Sequence, residues 1–178
     1  RGITVTSNSG TMTFSRDNGA TWSSSVVLDG SKQTNILVVD TTANTATVTG
    51  IATAMTSGTS TVYVNNAPAD HLVISPLSST TQAGVPYPIT VQAKDINGNN
   101  AFSSALVNIT RPILNTTMEF SENLSVWASS LATNLKSGAA YLYYRDTKKD
   151  TGITITAQAS GMTDGTAYAS ITANNPYL

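Results

Sequence analysis

The residue types that could do chemistry are few in this chain. His71 is the only histidine, and there is no cysteine. A His-based acid–base pair or nucleophile triad therefore has one candidate imidazole and no thiol. His71 opens a strand-like run beside a Pro-containing stretch, which reads as surface or interdomain packing. The ten carboxylates are scattered. Glu119 and Glu122 are close in sequence, yet a strand would turn them to opposite faces, which does not make a glycosidase pair. Asp146 and Asp150 flank Lys148-Lys149 as a solvated hairpin tip would. Asp95, Asn97 and Asn99 could offer oxygens to calcium, as could Asp70. Calcium takes six to eight oxygens, and one Asp with two Asn is a poor set. A self-bonded Asx turn through Gly98 explains the same residues. No catalytic, cofactor-binding or metal site is assigned, and no enzyme is expected.

Three tyrosines raise a different chemistry. Aromatic faces stack on sugar rings, and Tyr141, Tyr143 and Tyr144 are nearly consecutive. Strand alternation puts Tyr141 with Tyr143 and Leu142 with Tyr144. One pair belongs to the core; the other is either a cross-strand packing surface or a strip for a glycan ligand. Asn108-Ile109-Thr110, Asn115-Thr116-Thr117 and Asn123-Leu124-Ser125 fit the N-glycosylation pattern, which arises easily in Ser/Thr-rich text.

The elements that position these residues are strands. The chain has 178 residues, 11% of them charged, with a formal net charge of −1. That balance does not point to nucleic acid or an anionic membrane. Apolar residues come singly or in short runs, so no membrane insertion by a helix is expected. Short alternating runs of Thr, Val, Ile and Ala are punctuated by Gly, Asn, Asp and Pro, and no segment sustains helical spacing. Residues 124 to 137 are the least strand-like and suggest a short helical turn. Turn signals fall at Ser7-Asn8-Ser9-Gly10, Arg16-Asp17-Asn18-Gly19 and Asp29-Gly30.

The text is also repeated. Thr117-Met118-Glu119-Phe120-Ser121 echoes Thr11-Met12-Thr13-Phe14-Ser15. Trp127 echoes Trp22, and Asp146-Thr147 echoes Asp40-Thr41. Met162-Thr163-Asp164-Gly165-Thr166 echoes Met55-Thr56-Ser57-Gly58-Thr59. Four ordered anchors at one offset, about 106 residues, indicate a tandem duplication with a period of one domain. Residues 1–66 read as the C-terminal two-thirds of a module, 67–70 as a linker, and 71–178 as a complete module. Asn174-Asn175-Pro176 sits where a second linker would fall.

Val91 to Asn99 resembles the strand and turn near the start of bacterial immunoglobulin-like repeats of the invasin-like kind. Ala139 to Gly161 resembles their closing strands. The resemblance implies an all-β chain of tandem immunoglobulin-like β-sandwiches, the first incomplete at its N-terminus. It also implies an extracellular setting, on a cell surface, in a surface layer or adhesin, or secreted. Separately, Ser15-Arg16-Asp17-Asn18-Gly19-Ala20-Thr21-Trp22 is similar to the Asp-box of sialidase propellers. That resemblance implies a structural hairpin in which Asp17 bonds turn amides, Gly19 turns the chain and Trp22 packs beneath. A propeller needs several blades, and the box occurs once. At the equivalent place, Ser121 to Trp127 keeps the aromatics and loses the box.

The function expected on these grounds is mechanical: a structural repeat of a surface protein or filament, acting in spacing, display and self-association. The alternative is a carbohydrate-binding accessory module of a secreted glycosidase. Expected partners are neighbouring immunoglobulin-like domains or identical subunits, with strand addition to the incomplete first module as one route. Polypeptide upstream of Arg1 is the other source of the missing strands.

Overall fold

Thr, Val and Ile at alternate positions favour extended backbone, because branched side chains fit a pleated surface with one dry face. The computed structural model describes residues 2–29 and 35–174, and every regular element among them is a strand. The turn at Gly30 and the linker-like Asn175-Pro176 lie outside the described residues. The chain divides into two compact units, Arg1–Asn66 and Ala67–Leu178.

Unit 2 is a β-sandwich. One sheet has the order β11 (Met118–Ser121), β13 (Ala139–Asp146), β9 (Tyr87–Asp95), β7 (Ala69–Ser75). The other runs β12 (Ser130–Asn134), β10 (Leu106–Thr110), β14 (Asp150–Gln158), β15 (Gly165–Thr172), β8 (Ser78–Gln82). All pairs are antiparallel except β8 on β15. The first sheet has the A-B-E-D arrangement of immunoglobulin-like sandwiches. Alternation fills the core: Ile89, Val91 and Ala93 of β9 face Val107, Ile109, Ile153 and Ile155 of the other sheet. Fully burying one such aliphatic side chain contributes about 1.5–3 kcal/mol. Tyr144 is fully buried, stacks at a tilt on Tyr87 (5.7 Å between ring centroids), and shares a 2.7 Å hydrogen bond with the Ser79 hydroxyl. That bond ties β8 to the core.

Unit 1 has a sheet of order β3 (Ser25–Asp29), β1 (Gly2–Ser7), β5 (Asn44–Ile51), β6 (Gly58–Val64), and a pair formed by β2 (Thr13–Ser15) and β4 (Leu37–Val39). Every ladder has a counterpart in unit 2 at the same register. Thr6 opposes Ser25 as Thr110 opposes Ser130. Thr6 opposes Thr49 as Thr110 opposes Thr156. Gly50 opposes Gly58 as Ala157 opposes Gly165. Ser15 opposes Leu37 as Ser121 opposes Tyr143. Even the isolated bridge Phe14–Ser23 recurs as Phe120–Ala128.

Several expectations need correction. Residues 69 and 70 belong to β7 rather than to a linker, and the amide of Ala67 already donates to Asp95 (3.1 Å). The stretch 124–137 holds strand β12 and no helical turn, because its Leu131 and Thr133 pair back onto β10. Strand β8 was not legible as a strand, since Ser-Ser-Thr-Thr-Gln has no apolar alternation. Among the described residues, unit 1 lacks counterparts of three strands, β7, β8 and β9.

Candidate functional site

The Asp17 hairpin is built from its own side chains. Ser15 donates to Asp17 (2.6 Å) and accepts from the Gly19 amide (2.9 Å). The Thr21 amide (2.9 Å) and hydroxyl both donate to the same carboxylate. Donors from Ser15 and Thr21 hold the Asp17 carboxyl far below the usual carboxylate range. Gly19 at φ 92° supplies the left-handed turn. Trp22 is 42% exposed, with its ring edge close to Gly19. Unit 2 loses the box, as its sequence shows, and keeps the turn. Asn123 takes the place of Asp17 and accepts from the amides of Ser125 (3.0 Å) and Val126 (3.2 Å). Leu124 at φ 64° takes the place of Asn18 at φ 61°. An amide oxygen can accept the same turn donors that a carboxylate does, so the hairpin survives the loss of charge.

Asp95 is fully buried at the end of β9. Its carboxylate accepts from the amides of Asn97 (2.9 Å), Asn99 (2.9 Å) and Ala67 (3.1 Å), and from the Asn99 side-chain nitrogen (3.0 Å). The Asn99 side-chain nitrogen is the largest cause lowering its pKa. The nitrogen of Asn99 faces the carboxylate, so the calcium candidates Asp95, Asn97 and Asn99 form a turn locked by N–H donors. Gly98 at φ 84° closes it. Asp70 lies apart, 3.0 Å from His71 Nδ1 in a partly exposed pair.

Asp146 is also fully buried, which corrects the solvated-tip reading for Asp146, whereas Asp150 is exposed with Lys148 and Lys149. It accepts from the Asn115 side-chain nitrogen (2.8 Å) and the Lys148 amide (2.9 Å). Asn115 in turn accepts from the amides of Thr117 (3.1 Å) and Met118 (2.8 Å). The nitrogen that a glycan would need is thus engaged at Asn115. Asn108 and Asn123 are exposed. In unit 1 the equivalent Asp40 accepts from Ser9 (2.6 Å), Thr11 and the Thr42 amide (3.0 Å). Burial pushes its carboxyl up, but these donors outweigh it and the net shift is downward.

The outer face of β13 is where exposed side chains gather. Leu142 and Tyr144 point inward; Tyr141 is 75% exposed and Tyr143 half-buried on the outside. Arg145, next on that face, lies 4.1 Å over the Trp127 ring and bonds Glu119 at 2.8 Å. Outward alternation on β13 was the available signal for this stack, but pairing with Glu119 depends on the β11 register. Beside Tyr141 is a shallow depression of about 160 Å³ lined by Glu122, Thr133, Asn134 and Lys136. Glu122 accepts there from the Thr133 hydroxyl. Glu119 and Glu122 have separate partners and do not converge. Among the described residues, no three His, Cys, Asp or Glu side chains come together.

The sequence matches no family model and no curated protein. Several solved structures are similar to this chain. A beta-glycosidase from Bacteroides vulgatus is similar over 89% of this chain, with 13% identity and a TM-score of 0.50. Surface layer protein SbsC, domains 1–6, aligns over 98% at 16% identity and a TM-score of 0.46. A glycosyl hydrolase family 2 member from Bacteroides cellulosilyticus aligns over 94% at 13% identity and a TM-score of 0.47. The chain spans 21%, 20% and 22% of those three chains.

Proposed function

We propose that this chain is a structural immunoglobulin-like repeat of an extracellular surface protein or filament, acting in spacing, display and self-association. One observation carries the reading. The residues that recur at matching register between the two units are core and turn residues. Met12 and Met118, and Phe14 and Phe120, are buried apolar anchors. Ser15 and Ser121 hold hairpin amides, and Asp40 and Asp146 hold the turn after β4 and β13. What is written twice is fold-specifying chemistry, which suits a protein selected for shape.

Single-molecule stretching of the whole chain tests this. The expected record is a high-force event from unit 2, with ladders loaded in shear, and a weaker one from unit 1. A chain that extends without a force peak would reject the mechanical role.

The depression beside Tyr141 favours the second reading, a carbohydrate-binding accessory module of a secreted glycosidase. An exposed ring next to Glu122, Asn134 and Lys136 combines a stacking face with hydroxyl partners. Binding on a glycan array that Tyr141→Ala abolishes would move the assignment to that module.

A further inference from the structure

Among the described residues, unit 1 has the ladders of unit 2 but no counterparts of its covering strands. In unit 2, β13 is flanked by β11 and β9, and β15 by β14 and β8. Their counterparts β4 and β6 each have one strand neighbour among the described residues, β2 and β5. Burial follows. Ile36, Val38, Val48, Val62 and Val64 are only half-buried. Their equivalents Leu142, Tyr144, Ile155, Ala169 and Ile171 are at most 1% exposed. Open edges and a half-wet apolar face together are what a missing strand leaves.

A glycine gives the second observation. At Gly165, an added Cβ would stand 2.7 Å from the Leu72 carbonyl oxygen, because β7 crosses there. Only glycine admits that approach. Gly58 occupies the same register position in β6, and nothing lies within 4 Å of where its Cβ would be. A strand glycine in open space costs stability without return. It makes sense if a backbone is meant to pass over it.

We propose that this face of unit 1 is a strand-acceptor site, and that its occupant is a segment patterned like β7–β9. The donor would pair antiparallel along β4, as Ile89 opposes Leu142, and parallel along β6, as Thr80 opposes Ser170. Its alternate apolar side chains would bury the five half-covered residues, and its first strand would cross Gly58. In unit 2 these strands come directly before β10, the counterpart of β1, with residues 96–105 between. The same order assigns the donor to polypeptide directly ahead of β1. This inference concerns how unit 1 closes and does not depend on the surface role proposed above.

The test grafts residues 67–105 of this chain ahead of Gly2 in the full chain and follows amide hydrogen exchange. The expected result is at least about tenfold slower exchange along Leu37–Val39 and Gly58–Val64, with a higher melting temperature for unit 1. A graft carrying Ile89→Asp and Val91→Asp should lose the effect. Gly58→Val should leave the ungrafted chain at least as stable and abolish the protection by the graft. Unchanged exchange on grafting, or protection that survives Gly58→Val, overturns the proposal. Sedimentation of the ungrafted chain supplies one more outcome. Self-association abolished by Gly58→Val would assign the face to a second copy and overturn the donor's origin ahead of β1.

Discussion

Units 1 and 2 share their ladders and differ in what lies over them. Phe14 and Phe120 are equally buried, because each is enclosed by strands that both units have. Val48 and Ile155 are not, because among the described residues unit 1 has no counterparts of β7 and β9 to cover β5. Backbone pairing therefore does not by itself make a core. The dry interior of unit 2 depends on β7 and β9, which close the sandwich from the other side. Unit 1 shows what the same text achieves without them.

The largest test of this contrast is a matched truncation. Ile155→Ala should destabilise unit 2 by about 2–5 kcal/mol, as expected for a filled core position. Val48→Ala should cost unit 1 about 1 kcal/mol or less, since water already reaches that site. Urea melts of the full chain, followed by exchange at each unit, would measure both. Equal costs would erase the distinction.

Next comes the glycine pair. Gly165→Ala forces the Leu72 backbone to move and should cost about 1–3 kcal/mol. Gly58→Ala should be neutral or stabilise by up to about 1 kcal/mol. Thermal melts of the two variants decide it.

A polar pair gives a smaller difference. Asn115→Ala removes a donor from fully buried Asp146 and should cost about 1–3 kcal/mol. Thr11→Val removes one of several donors from half-exposed Asp40 and should cost less than about 1 kcal/mol.

The smallest effect is a response to acid in one hairpin alone. The folded carboxyl of Asp17 lies below its ordinary value of 3.8, so its stabilisation is complete above about pH 4. It is lost as pH falls toward the folded value. Asn123 does not titrate, so the matching hairpin in unit 2 should hold. Exchange of the Thr21 and Ser125 amides between pH 5 and 2 should diverge, and Asp17→Asn should make them alike.

How much could be read in advance varies by element. The β class, the turns at Asp17 and Asp95, and the pairing of Leu142 with Tyr144 on one face were legible, because each is set by period-two alternation or a local side-chain bond; which face is the inner one was not. β8 was not, because its five polar residues become a strand only by pairing with β15. Asp146 read as a surface charge because its donor, Asn115, lies 31 residues away. The depression beside Tyr141 joins residues from β12, β13 and the loop after β11, and no local pattern announces it.

Sequence alone determined the strand grammar and its repetition, since alternation, Gly-Asn-Asp turns and recurring anchors act over a few residues. Tertiary structure decided which copies of those strands are dry, which carboxylates are buried, and why Gly165 must be glycine. Those outcomes depend on segments far apart in the chain coming within van der Waals distance, and local text does not encode that distance.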